Sequence, residues 1–192
     1  MRKAFLFGGM ALAVLVAAGG CSNSQGTTES PVFITVSIDL QPGFINVAVP
    51  APVQIDTITL QSHAKDPTSV DTQGFSDVQI NQYTVTFTRT DGGTLVPPPQ
   101  TFGCGVLVPH DGNSALSNFP VLYASALSQS PFDQLFPFNG GIDRQTGQSE
   151  IDMKFNITFY GQTVSGKRVQ SDTASGLLTF QYAAAAPARA SR

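Results

Sequence analysis

Few residues of this chain have side chains that could act in catalysis, and they lie far apart in the sequence. The thiols are Cys21 and Cys104, and the imidazoles are His63 and His110. Zinc sites are built from three or four such side chains in a compact arrangement, which this spacing does not predict. The sequence also lacks the GxSxG elbow that presents a nucleophilic serine. We therefore expect no enzymatic activity and no cofactor.

Three aspartates of one polar segment, Asp66, Asp71 and Asp77, are weak candidates for binding calcium. Calcium takes carboxylate and carbonyl oxygens from loops of this kind. The regular spacing of an EF-hand loop is absent, and aspartate is also a favoured turn residue. The segment therefore predicts turns, and a calcium-dependent adhesion module is kept as an alternative.

Cys21 ends the motif AAGGC, which follows a segment with the features of an export signal. Arg2 and Lys3 are positive, and Ala4 to Ala18 is apolar or small and carries no charge. Such a stretch is typical of a secretory signal and short for a membrane-spanning helix. We therefore expect residues 1–20 to form a cleaved signal helix.

The motif AAGGC resembles the lipobox of bacterial lipoproteins, although Ala18 stands where leucine is commonest. The resemblance implies that the signal is cut before Cys21 and that Cys21 carries lipid such as palmitate. Ser22 stands where an aspartate retains many lipoproteins at the inner membrane. The expected location is thus the cell envelope, at the outer membrane if the cell is Gram-negative.

The composition on either side of the central region predicts a tether and a tail. Residues 21–31 have no large apolar side chain after the cysteine, and residues 183–192 have none larger than alanine. Both segments are expected to be disordered. The formal net charge is −3, so nothing favours nucleic acid, which is bound through lysine and arginine.

Residues 32–182 are expected to form one all-β domain. Apolar and polar residues alternate in the segments VFITVSID, YTVTFTR, EIDMKFNITFY and LLTFQY, as in half-buried antiparallel strands. Gly and Pro number 18 and 13, which favours many turns and no long helix. About eight strands at this spacing predict an antiparallel β-sandwich, with a small closed barrel as the alternative.

The order of several segments resembles a group of uncharacterised bacterial lipoproteins. The segments are DVQINQYTVTFTRTDGGTLVP, CGVLVP, SPFDQLF, ITFYGQTVSGKRV and LLTFQY. The resemblance implies an immunoglobulin-like, Greek-key sandwich and a place in the envelope. It implies no activity, because that group has no known active-site motif.

Phenylalanines concentrate between residues 119 and 138, and this segment has two interpretations. If it packs over one end of the domain, Phe132, Leu135 and Phe136 are buried. If it docks a partner, these three side chains face solvent. The sequence as a whole favours a lipid-anchored, non-enzymatic binding or assembly module with an envelope protein as a candidate partner. The alternatives are the calcium-dependent module, an envelope hydrolase, and a subunit joined by strand addition at Glu150–Tyr160.

Overall fold

The computed structural model describes residues 29–39 and 43–184, and eight β-strands lie within these ranges. The strands are β1 (Val32–Asp39), β2 (Gly43–Asn46), β3 (Val53–Ala64), β4 (Val78–Arg89), β5 (Gln100–Val108), β6 (Asn113–Leu122), β7 (Glu150–Thr163) and β8 (Arg168–Gln181). The helical segments of the described residues are short 3₁₀ helices at Ala124–Ser128, Phe132–Leu135 and Pro137–Asn139. The prediction of an all-β fold with about eight strands is confirmed.

The strands form one mixed sheet in the order β5-β4-β7-β8-β1-β3-β6, and β2 pairs with β8 outside this path. Both β1 and β2 run parallel to β8, and the other pairs are antiparallel. The expectation of a purely antiparallel sheet is therefore wrong. The β1–β8 junction is narrow: its ladder is one pair, Ile34 with Ser171, and Asp172 accepts a 2.8 Å hydrogen bond from the Val36 amide.

The sheet curls so that its two halves face each other across one apolar core. The ring of Tyr83 on β4 lies 4.1 Å from that of Phe119 on β6, and its hydroxyl donates a 2.6 Å hydrogen bond to the Pro120 carbonyl. The outermost strands β5 and β6 are linked by side chains, since Ser114 donates to the Leu107 carbonyl and Tyr123 to that of Thr101. The sheet is therefore nearly barrel-shaped.

The loops gather at two ends of this sheet. One end, called the Val32 end, is where β1 begins, and it carries loop 65–77, turn 109–112 and hairpin tip 164–167. The Lys65 amide donates to the Pro31 carbonyl there, and the Val164 amide donates to that of Asp77. The opposite end, called the Phe132 end, carries loop 90–99 and the long segment 123–149.

Two local predictions are wrong in detail. The apolar run at residues 119–127 predicts a strand over those residues, but strand β6 begins at Asn113 and ends at Leu122. Its first half is polar and has one ladder neighbour, β3, so it lacks the apolar alternation of an inner strand. The segment SPFDQLF predicts one short helical turn with Ser130 as its cap, but Pro131 holds the cap position and no side chain caps the turn.

Strand β7 lies inside the sheet, and this corrects a third prediction. The segment Glu150–Tyr160 was considered as an exposed edge for strand addition. It is instead hydrogen-bonded to β4 on one side and to β8 on the other. Its backbone groups are therefore already paired and offer no free edge to another chain.

Candidate functional site

The predicted lipidation site, Cys21, lies outside the described residues, and so does the predicted signal segment. The described chain starts at Glu29, next to the Val32 end of the sheet. There the carboxylate of Glu29 lies 3.8 Å from the ammonium group of Lys167 on the β7–β8 hairpin. The segment that follows Cys21 therefore joins the domain beside this hairpin.

The three candidate calcium ligands shape the Val32 end through hydrogen bonds to backbone amides. Asp66 accepts from the amide and hydroxyl of Thr68, and Asp77 accepts from the His110 amide at 2.8 Å. A hydrogen bond from the Ser76 amide lowers the pKa of Asp71 to about 2. Among the described residues, no three His, Cys, Asp or Glu side chains gather in a way that could hold a metal ion.

The three candidate docking residues belong to the core, which corrects the docking interpretation of this segment. Phe132 is 0% and Leu135 1% exposed, and the Phe132 ring lies 4.4 Å from that of Phe180. Phe136 is partly buried against the same core. The segment packs over the Phe132 end of the sheet, and its most exposed aromatic residue is Phe138.

Cys104 lies on the core side of β5, as its register predicted. It is a free, half-buried thiol packed against the core, and burial raises its pKa. A thiol with a raised pKa carries little thiolate at neutral pH and is a poor nucleophile. Cys104 therefore acts as a small apolar side chain.

The two histidines have different surroundings, although the segments that carry them are neighbours, since the Ala64 amide donates to Asp111. The ring of His63 stacks on Phe33 at 4.9 Å, and its Nε2 lies 3.0 Å from the Thr35 hydroxyl. Neither ring nitrogen of His110 has a hydrogen-bond partner within the described residues. Neither histidine lines the three clefts described in this part of the chain.

A buried cluster of charges, not predicted from the sequence, ties the Phe132 end together. The guanidinium of Arg89 donates two 2.7 Å hydrogen bonds to Asp91 and one of 2.9 Å to Asp143. All three side chains are at most 3% exposed. Burial raises the pKa of both carboxyl groups, but hydrogen bonds from Arg89 and from neighbouring groups (the Gly93 and Asp152 amides to Asp91, the Thr146 hydroxyl and amide to Asp143), together with the charge of Arg89, outweigh it. Both pKa values therefore lie below the ordinary value. The cluster fixes loop 137–149 against the end of β4.

A polar cleft of about 330 Å³ crosses the outer face of β4, β7 and β8 near the Val32 end. We call it the amide groove, and it is lined by Asn81, Gln82, Tyr160, Gly161, Gln162, Arg168, Val169 and Gln170. Four of these residues have side-chain amides, each of which offers a hydrogen-bond donor and an acceptor. Of the three clefts described here it has the largest volume, and we regard it as the candidate binding site.

The amide groove forms where the three ladders that join β5, β4, β7 and β8 lose their regular register. The pairing of β4 with β5 and with β7 shifts between Ile80 and Gln82, and that of β7 with β8 shifts between Thr158 and Tyr160. Such irregularities bend strands and redirect their side chains. Gly161 lies in this region, where a Cβ would stand 2.3 Å from the Gln79 carbonyl oxygen.

Sequence reasoning missed the groove because its residues belong to different strands and alternate with buried ones. The one local signal is the glycine in FYGQT, which interrupts an otherwise regular strand pattern. Only the pairing of β4 with β7 brings Gln82 opposite Tyr160.

Within residues 29–39 and 43–184, no helix is long and apolar enough to cross a lipid bilayer. A comparison with known proteins adds no further assignment. No protein-family model matches the chain, and no curated protein matches it either.

Proposed function

We propose that this chain is a lipid-anchored protein of the bacterial cell envelope whose β-domain is a non-enzymatic binding module. The observation that carries the anchor is the motif AAGGC directly after a charged and then apolar segment. The fold is compatible with this, because β1 begins at Val32 and leaves only a short connection back to Cys21. In a Gram-negative cell, the outer membrane is the proposed location.

We further propose that the domain belongs to the immunoglobulin-like, Greek-key sandwiches. Two groups of strands, β1-β3-β6 and β5-β4-β7-β8, meet at the narrow junction of β1 with β8. The N-terminal strand β1 pairs with strands of both groups, and the apolar sides of the two groups face each other. Both features support this assignment.

Replacing the proposed lipid attachment residue tests the anchor. The change Cys21→Ala removes the only thiol of the motif, so the protein should move from the membrane fraction to the soluble fraction or accumulate unprocessed. Two or more acyl chains make anchoring stable, so nearly all of the protein should change fraction. The measurement is fractionation followed by immunoblotting, with metabolic labelling by a radioactive fatty acid.

Cys104→Ala is the matched control, because Cys104 is the only other cysteine and lies half-buried on the core side of β5. This variant should stay in the membrane fraction and keep the label. A Cys21→Ala protein that is cleaved correctly and still stays with the membrane would refute the lipid anchor.

The ligand class that we propose for the amide groove is an uncharged, hydroxyl-rich molecule such as an oligosaccharide. Sugar hydroxyls donate and accept hydrogen bonds, and side-chain amides match both roles. Tyr160 lines the groove and pairs with Gln82 across the β4–β7 ladder, so it is the aromatic residue available there to stack on a sugar ring. No acidic side chain lines the groove, and the one charged residue in it is Arg168.

Removing two amides should weaken this binding. Loss of two hydrogen bonds of about 1 kcal/mol each in the double variant Gln82→Ala/Gln162→Ala should reduce affinity at least about tenfold. Calorimetric titration with chitotriose and maltotriose measures the effect. Gln61→Ala on the exposed side of β3 is the control and should bind like the unchanged protein. Equal affinity in the double variant would exclude the groove as the site.

A further inference from the structure

Three apolar side chains stand in solvent at the Val32 end of the domain. Val70 is 82%, Phe75 55% and Val164 57% exposed. Single exposed apolar side chains are common on protein surfaces, and Phe44 and Phe138 are exposed elsewhere on this domain. What distinguishes Val70, Phe75 and Val164 is their common place at the end of the domain that lies nearest to Cys21 in the chain.

Local hydrogen bonds hold two of these residues at the tips of neighbouring turns. The Asp77 amide donates to the Gly74 carbonyl, which places Phe75 at the tip of one turn. The Gly166 amide donates to the Thr163 carbonyl, which places Val164 at the tip of the β7–β8 hairpin. The two turns are joined directly, because the Ser165 amide donates to the Phe75 carbonyl at 3.0 Å.

Val70 belongs to the same surface through its loop. Asp71, the next residue, accepts hydrogen bonds from the amides of Gln73 and Ser76. These bonds fix the loop around Phe75, so Val70 and Phe75 project from one structured segment. We call Val70, Phe75 and Val164 the apolar tips.

The chain between Cys21 and the domain determines which surface the apolar tips can meet. Glu29 lies beside Lys167 of the hairpin, so the connection leaves the domain next to Val164. Fully extended, the segment from Cys21 to Glu29 spans at most about 30 Å. A lipid on Cys21 therefore keeps the Val32 end near the bilayer, whereas the Phe132 end lies about 45 Å farther along β8.

Charges around the apolar tips are of both signs. Lys65 and Lys167 lie at this end of the domain, and so do Glu29, Asp66 and Asp71. Attraction to anionic lipid needs a cluster of positive charge, and this arrangement does not provide one. Contact with a bilayer would therefore depend on apolar area and not on the charge of the lipid.

We propose that Val70, Phe75 and Val164 insert into the interface of the membrane that carries the Cys21 lipid and so set the orientation of the domain. This inference rests on the lipid anchor proposed above. The tips dip below the headgroups, the neighbouring carboxylates stay among them, and the amide groove opens sideways just above the bilayer. The acyl chains supply the attachment, and the tips supply the orientation.

The absence of tryptophan from the chain allows a direct test in the full-length lipidated protein. Phe75→Trp places the only tryptophan on an apolar tip, and Phe138→Trp places it at the Phe132 end on a residue that is 82% exposed. Both proteins are reconstituted into phosphatidylcholine vesicles with brominated acyl chains. Bromine at the depth of an interfacial side chain should reduce the tryptophan fluorescence of Phe75→Trp more than about twofold. It should leave the fluorescence of Phe138→Trp unchanged.

Flotation of the same vesicles separates failure of this inference from failure of the anchor. Protein that floats with the vesicles while Phe75→Trp is unquenched refutes membrane contact by the tips and leaves the anchor intact. Equal quenching of both variants refutes the proposed orientation. If the lipidated protein does not float with the vesicles and so behaves like Cys21→Ala, the anchor itself is refuted. Val164→Trp should be quenched like Phe75→Trp, and circular dichroism checks that each variant is folded.

Discussion

Arg89→Met is expected to destabilise the domain by about 3–5 kcal/mol at pH 7. The substitution keeps an unbranched side chain but removes the guanidinium that binds Asp91 and Asp143. Two carboxylates, at most 3% exposed, would then be left without a counter-ion. Urea unfolding at 25 °C, followed by far-ultraviolet circular dichroism, measures the change in the free energy of unfolding.

The destabilisation caused by Arg89→Met should become smaller as the pH falls. In the unchanged protein the pKa values of Asp91 and Asp143 are lowered, so their contribution is present above about pH 4 and is lost as the pH falls through the folded-state values. Without Arg89, burial remains the largest effect on both carboxyl groups and only the hydrogen bonds from Gly93, Asp152 and Thr146 still oppose it, so both pKa values rise. Protonation on acidification then relieves the penalty of the buried charges. The difference in unfolding free energy between the two proteins should therefore narrow from pH 7 to pH 4.

Arg144→Met is the matched control for this experiment, because Arg144 lies next to Asp143 on the same loop and its side chain is exposed. It should change the free energy of unfolding by less than about 0.5 kcal/mol. A difference between Arg89→Met and the unchanged protein that stays constant or widens on acidification would contradict the assignment of the loss to unpaired carboxylates.

Gly161→Ala is expected to cost about 3 kcal/mol, at the upper end of the usual range for overpacking. The new Cβ would lie 2.3 Å from the Gln79 carbonyl oxygen and 2.9 Å from the Ile80 Cα. Both atoms are backbone of β4, a strand between two neighbours, so relief requires β4 and β7 to separate. Thermal unfolding and urea unfolding both measure the effect.

Gly103→Ala tests whether the destabilisation depends on the position of Gly161 or follows from replacing any glycine in a strand. Gly103 lies on β5 opposite Gln82, and a Cβ there would meet nothing within 4 Å. We expect this variant to be as stable as the unchanged protein or slightly more stable, since alanine restricts the unfolded chain. Equal destabilisation by both substitutions would contradict the close approach of β4 and β7 at Gly161.

The strands with strong alternation could be predicted from the sequence because each has one buried side. In β7, Ile151, Met153 and Phe155 are 0% exposed, and their sequence neighbours are not buried. On β3 the apolar register changes between Ile55 and Ile58, which predicts a bulge at that point, and both residues are buried. The β3–β6 ladder keeps its register across these two residues and shifts nearer the start of the strand, between Val53 and Gln54, so the predicted position of the bulge is wrong.

The neighbours of each strand could not be predicted in the same way. Alternation shows which side of a strand is buried, but it contains no information on which strand lies beside it. Strand β7 was therefore considered as an edge, although it lies between β4 and β8. The parallel pairing of β8 with β1 and β2 also joins segments that are distant in the chain.

The sequence by itself determined the all-β class, most of the strands and the core side of Cys104, since these follow from alternation along one segment. Cys21 and its anchor remain a prediction from a local motif. Only the tertiary structure decided that Arg89 meets Asp143, that Phe132 is buried, and that Phe75 and Val164 share one end. Each of these facts depends on contacts between segments far apart in the chain, which are determined by how the sheet curls and closes around its core.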